Sequence, residues 1–294
     1  MDRRAFLIGT GCAAASAAAA QGPRRARAFG GEAFRLGVLE LERESGGRFG
    51  VAVLDTGSGR RFAWRGDERF AMCSTFKLPL AAAVLARVDR GRERLDRRVP
   101  VRAADLVSHA PFVQTRVGGD ATIGELCEAT TTLSDNPAAN LLLATMGGPA
   151  GWTAFVRAAG DRRSRLDRTE PKMNDVAPGD PRDTTTPLAM LALVRRLALG
   201  DVLSPASRAG LVGWMVANET GDRRLRAGLP PDWRVGDKTG ASGKGSDNDV
   251  ALIWPGDRPP LLVSAYITDS PLAFERTNAL HARLGRLIAT AYRA

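Results

Sequence analysis

The sequence predicts an α/β protein, an α+β sandwich in which a five-stranded antiparallel sheet is flanked by helices and interrupted by an inserted all-α domain. Three observations predict it. Strand patterns occur near the start of the chain, a stretch of some 150 residues with helical periodicity follows, and strand patterns return only in the last quarter of the 294 residues. Glu32 to Glu44 sets Phe34, Val38 and Leu41 at helical spacing, so it reads as an amphipathic helix. Arg48 to Asp55 alternates around Val51 and Val53, Thr56-Gly57-Ser58-Gly59 turns the chain, and Arg61 to Trp64 returns it as a hairpin. From Thr75 to about Met215 the chain is rich in Ala and Leu and broken by Pro- and Gly-bearing loops. Trp233 to Gly240, Asp249 to Trp254 and Leu261 to Thr268 read as three strands, and Pro271 to Arg293 as a closing helix. Strands from both chain ends then share one sheet. The expected domains are residues 29–68 with 216–294 for the α/β part and 69–215 for the all-α part. A cleft between them is a natural small-molecule site.

Residues 1–28 read as a signal peptide. Met1 to Arg4 is basic, Ala5 to Ala20 is weakly apolar and alanine-rich, and Arg3-Arg4-Ala5-Phe6-Leu7 has the form of a twin-arginine export signal. Small-x-small patterns place cleavage after Ala20 or, preferred, after Ala28; Cys12 lacks the aliphatic neighbour of a lipobox, since Gly9 stands there. The expectation is an exported, periplasmic protein without a further membrane span, monomeric, at 44% hydrophobic and 25% charged residues. A formal charge of +10 raises nucleic-acid binding. It falls to +6 without residues 1–28, and acids interrupt the basic runs with no aromatics interleaved, so no nucleic-acid partner is expected.

Lysine is scarce here: Lys77, Lys172, Lys238 and Lys244 are the only four. The two histidines, His109 and His281, have no metal-ligand spacing, which argues against a Ser-His-Asp triad and a zinc site; no metal or cofactor is expected. Ser74-Thr75-Phe76-Lys77 opens an alanine-rich helix. Ser and Lys three apart lie on one face, so the lysine can take or hold the hydroxyl proton, and the serine's own first-turn N–H is free to face an oxyanion. Ser134-Asp135-Asn136 precedes a helix-compatible run and, taken by itself, reads more readily as an Asx or N-cap turn than as a site. Lys238-Thr239-Gly240 ends a strand, where Gly lets a ligand approach the backbone and Lys with Thr suits a carboxylate.

These three motifs in this order resemble those of the penicillin-recognising serine enzymes. Between the last two, Arg168-Thr169-Glu170-Pro171-Lys172-Met173-Asn174 and Pro178 to Thr184 resemble the omega loop (residues 168–183) of class A β-lactamases, the likeness running from about residue 30 to the end. The resemblance implies hydrolysis of the β-lactam amide of penicillins and cephalosporins, and hence antibiotic resistance. Ser74 is then the nucleophile, and Lys77, or Glu170 through a water, its base. Ser134 passes a proton to the leaving nitrogen, while Glu170 and Asn174 hold the deacylating water. Ser74 and Ala241 supply oxyanion N–H groups; Asn136, Lys238, Thr239, Gly240 and Ala241 bind substrate. Arg168 and Asp183 are the loop-closing ion pair, and His109 is a cleft-edge residue packing on substrate. A D,D-peptidase, or a sensor domain that stays acylated, shares the three motifs; Glu170 with Asn174 argues against both.

The chain departs from the family pattern in two places. Asp247 and Asn248 stand where many relatives have the arginine for the substrate carboxylate, and an anion there would repel the substrate; Arg224 aligns with an alternative source of that arginine and is assigned the role. Cys127 and Cys73 each match one half of a family disulfide, but Ala81 and Ser242 stand at the other halves, so both thiols are expected to be unpaired.

Overall fold

The computed structural model describes residues 28–293; the expected leader, apart from Ala28, lies outside the described residues. Helix α1 (Gly31–Ser45) packs Phe34, Val38 and Leu41 inward, as their spacing predicts. Strands β1 (Arg48–Asp55) and β2 (Arg61–Trp64) form the expected hairpin. Six helices follow in the middle of the chain: α2 (Lys77–Asp89), α3 (Ile123–Thr132), α4 (Asn136–Ala144), α5 (Gly148–Ala158), α6 (Pro187–Ala198) and α7 (Pro205–Val216). Strands β3 (Arg234–Ala241), β4 (Asp247–Trp254) and β5 (Leu261–Thr268) then precede α8 (Phe274–Arg293).

The five strands make one antiparallel sheet in the order β2-β1-β5-β4-β3, so β1 pairs with β5 and the chain ends are joined at the centre. Both faces are covered. Val51 and Val53 of β1, Ala251 and Ile253 of β4, and Val263 and Ala265 of β5 enter one core with α1 and α8. Their alternates, Ala52, Leu54, Val250, Leu252, Leu262 and Tyr266, enter a second core with α2, α6 and the other inner helices. This is period-two patterning with apolar residues on both faces.

The boundaries differ from expectation in one informative place. β4 begins at Asp247, two residues earlier than its apolar pattern suggests, because Asp247, Asn248 and Asp249 are buried and paired through their side chains instead of by packing. Those three polar residues lie behind the free edge strand β3, which faces the helical half.

Candidate active site

Ser74 sits in a short 3-10 turn (Cys73–Phe76) that runs directly into α2. The turn is docked from both sides: Asn248 Nδ2 donates to Ala71 O at 2.9 Å and Met72 O at 3.1 Å, and Trp152 Nε1 donates to Phe76 O at 3.1 Å. Cys73, immediately before the serine, has φ of 45°, a left-handed backbone held by these contacts. Ser134 carries a second such strain, at φ of 60°. Its neighbour Asp135 fulfils the capping reading of the Ser-Asp-Asn motif, accepting from Ala138 N at 2.8 Å and from Phe112 N and Val113 N at 2.9 and 3.0 Å. One motif therefore serves both purposes, the Asp fixing a turn that aims its two neighbours.

The lysines organise what those neighbours face. Lys77 Nζ lies 3.2 Å from Glu170 Oε1 and donates to Ser134 O at 2.7 Å and Asn136 Oδ1 at 2.5 Å, with Ser134 Oγ at 3.4 Å. Ser74 Oγ is 3.4 Å from the same Glu170 Oε1. Lys238 Nζ donates to Ser134 Oγ at 3.0 Å, so the Ser134 hydroxyl is held between two ammonium groups. Burial pushes the Lys77 ammonium below the ordinary lysine range, with Glu170 opposing; burial and repulsion by Lys77 push Lys238 well below it.

Glu170 is fixed by residues on its own loop and on α4. Asn174 Nδ2 donates to Glu170 Oε2 at 2.7 Å, and Asn140 exchanges two hydrogen bonds with the Glu170 backbone, both at 3.0 Å. Asn174 Oδ1 is buried and accepts no hydrogen bond among the described residues, leaving an acceptor beside the carboxylate. The loop is closed by Arg168 and Asp183: Nε to Oδ2 is 2.6 Å, and the backbone N–H groups of Asp167 and Arg168 also reach Asp183.

At the sheet edge, a side chain added to Gly240 would lie 2.9 Å from Met72 O and 3.1 Å from Ser74 N, so glycine is what allows β3 to approach the serine's backbone. Ser242 N donates to Ser246 O across the β3–β4 turn. N–H directions alternate along a strand, so the N–H of Ala241 points away from β4, off the open edge on the Ser74 side. Thr239 Oγ1 meets Thr220 Oγ1 at 2.5 Å. His109 lies opposite, its ring nitrogen Nε2 2.9 Å from Leu133 O and its own carbonyl accepting from Asn136 N.

Arg224 is placed differently from what its assignment as carboxylate anchor anticipates. It is 2% exposed, and its guanidinium already bonds Asn278, Gly240 O, Asn248 O and Asp247. The Asp247 charge is correspondingly paired, not open to a substrate. Cys73 and Cys127 are both free and buried. Thr220 and Asn140 were not among the expected site residues. Thr220 has no motif of its own, whereas Asn140 is four residues after Asn136, a helical spacing that puts both amides on one face of α4.

Comparison with known proteins gives a consistent result. The model of the "Beta-lactamase enzyme family" matches residues 36–292. The chain is 49% identical to β-lactamase L2 of Stenotrophomonas maltophilia, covering 98% of each chain, and 44% identical to β-lactamase CTX-M-25 of Escherichia coli, covering 99% of this chain and 98% of that one. Among solved structures, an ancestral class A β-lactamase is 61% identical with a TM-score of 0.87, covering 88% of this chain and 99% of its own. A β-lactamase from Xanthomonas campestris is 50% identical with a TM-score of 0.87, covering 88% and 97%.

Proposed function

The chain belongs to the class A β-lactamases, and from that premise we propose that Ser74 carries the acyl group while Glu170 releases it. The activity is hydrolysis of the β-lactam amide through a serine acyl-enzyme, the reaction by which such enzymes confer resistance to penicillins and cephalosporins. In acylation, Ser74 Oγ adds to the lactam carbonyl as its proton passes to Lys77 or, through a water, to Glu170. Developing charge on the carbonyl oxygen is met by the N–H groups of Ser74 and Ala241, donors of a kind each worth ~10²–10³ in rate. Collapse breaks the C–N bond, and Ser134, held between Lys77 and Lys238, gives the nitrogen its proton and regains one from Lys77. In deacylation Glu170 takes a proton from a water that Asn174 helps to hold as the water oxygen adds to the ester; the C–O bond to Ser74 then breaks and the proton returns from Glu170, directly or by way of Lys77, to Ser74 Oγ.

Asn136 is proposed to bond the substrate's side-chain amide and His109 to pack against it. Lys238 and Thr239, with Gly240 admitting the ligand to the strand, bond the substrate carboxylate, and Arg224 adds positive potential behind them. Arg168 and Asp183 keep the 168–183 loop in place. The domain division at 29–68 with 216–294 and 69–215 is part of the same reading, with the cleft between the two as the entrance. Export to the periplasm rests on the Arg3-Arg4 leader; no helix among the described residues is long and apolar enough to cross a membrane. A monomer acting on small β-lactams is proposed.

The observation that carries hydrolysis over the D,D-peptidase and sensor alternatives is the Glu170 carboxylate within 3.4 Å of Ser74 Oγ and bonded to Asn174. Glu170→Ala is expected to slow deacylation more than acylation. Intact-mass spectrometry after mixing with a penicillin then records a persistent adduct on Ser74. A variant that stays unmodified and unreactive overturns the assignment.

A further inference from the structure

Arg224 is a large cation buried behind the edge of the sheet, and its contacts point to one particular peptide. Nη1 donates to Gly240 O at 2.8 Å and also to Asn248 O; Nε donates to Asn278 Oδ1 at 2.9 Å, and Nη2 to Asp247 Oδ1 at 3.3 Å. The Gly240 carbonyl and the Ala241 N–H are opposite ends of one planar peptide group. A donor fixed on the carbonyl sets the plane in which the N–H points, and a charged donor polarises that N–H toward a better hydrogen bond.

Asp247 completes the arrangement. It lies directly opposite Ala241 in the β3–β4 register, pairs with Arg224 through Oδ1, and accepts from Thr277 Oγ1 at 2.8 Å through Oδ2. Thr277, Asn278 and Phe274, whose ring centroid is 5.3 Å from the guanidinium carbon, all come from the start of α8 and enclose the pair. A guanidinium stays charged when buried, so without such a counter-charge it would stand uncompensated, a costly arrangement.

We propose that Arg224 is a positioning residue for the oxyanion hole, acting through the Gly240–Ala241 peptide, and that Asp247 holds it on that peptide. The proposal rests on the reading of Ala241 N–H as an oxyanion donor. It gives Asp247, which would repel a substrate carboxylate if unpaired, a constructive part in the same site.

The test removes both charges together, Arg224→Gln with Asp247→Asn, so that no unmatched buried carboxylate is left behind the strand. Phenylboronic acid serves as the probe because its serine adduct places an oxygen in the oxyanion hole and carries no carboxylate. The paired variant is expected to raise its Ki about ten-fold, a fraction of the loss of a whole oxyanion donor. An unchanged Ki with a raised KM for a penicillin overturns the proposal and leaves Arg224 as a carboxylate anchor alone. Arg224→Lys keeps the charge but places its three donors on one nitrogen, which cannot span the four acceptors that the planar guanidinium reaches through three nitrogens; it is expected to raise the Ki as well, and serves if the paired variant does not fold. A Ki at the parent value in Arg224→Lys likewise overturns the proposal.

Infrared spectra of the penicillin acyl-enzyme, trapped in a Glu170→Ala background, separate the two layers of the argument. The ester carbonyl is expected at a lowered frequency with Arg224 present and at a higher one in the paired variant. A lowered frequency in both overturns the positioning role while the oxyanion reading stands. No lowering in either overturns the oxyanion reading itself.

Discussion

At the scale of single residues, the site depends on two ammonium groups kept out of water and one glycine with no room for anything larger. Lys77 and Lys238 converge on Ser134 Oγ, and among the described residues only Lys77 has a carboxylate partner there. Gly240 is the more easily tested of these features. The atoms that a methyl group at 240 would meet belong to Met72 O, Cys73 Cβ and Ser74 N, two of them backbone, so they cannot swing aside as a flexible side-chain end would. Gly240→Ala is expected to force Ser74 away from the Ala241 N–H and to lower kcat for a chromogenic cephalosporin by roughly 10²-fold, the scale of one lost oxyanion donor. A kcat within about two-fold of the parent removes that constraint from the account. The Ser-x-x-Lys, Ser-Asp-Asn and Lys-Thr-Gly motifs were legible in the sequence because each is a run of adjacent residues. Thr220 was not, because nothing near it in sequence marks it: its partner Thr239 is 19 positions away and reaches it only after β3 docks beside the segment following α7.

At the scale of elements, the 168–183 loop has little regular structure, a single 3-10 turn at Lys172–Asn174, yet it must hold Glu170 to within a fraction of an ångström of a useful position. Its order comes from polar closure. Asp183 is fully buried, has φ of 57°, and receives two backbone N–H groups and the Arg168 guanidinium. Arg168→Ala leaves that carboxylate without its cation, which for a buried pair costs about 3 kcal/mol. The expected outcome is a Tm lowered by several degrees and a deacylation rate reduced more than acylation, read by thermal melting and by single-turnover kinetics with a penicillin. An unchanged Tm would show the loop to be closed by its backbone bonds alone. The Arg168 and Asp183 pairing was recognisable from resemblance, whereas the start of β4 was not. Strand patterns report apolar alternation, and Asp247-Asn248-Asp249 are buried by hydrogen bonds and ion pairs to distant elements that no local pattern encodes.

At the scale of the whole molecule, the sheet separates two cores, and the end of the chain returns to support the site from behind. α8 packs on the far face with α1, and its first turns supply Thr277, Asn278 and His281 to the ground beneath β3 and β4. His281 gives this region a dependence on pH. The ring is fully buried, meets Phe49 edge-on with ring centroids 5.5 Å apart, and donates from Nε2 to Asp247 O at 3.1 Å, while Nδ1 has no partner among the described residues. Burial first, and the Arg224 charge second, press its pKa down to about 3 from the ordinary 6.5, so the folded protein keeps it neutral. The unfolded chain protonates it below pH 6.5 and the folded one does not until about pH 3. Its contribution to stability is therefore complete above 6.5 and declines as pH falls through that window, by about 1.4 kcal/mol per pH unit. Every other titrating group is shared with His281→Gln, whose amide can also donate to Asp247 O but gains no charge. Urea unfolding at pH 7 and pH 5 is expected to show the parent losing about 2 kcal/mol more than His281→Gln between the two conditions. Equal losses would mean that the folded state accepts the proton at His281, and that the ground beneath β3 tolerates a second cation beside Arg224.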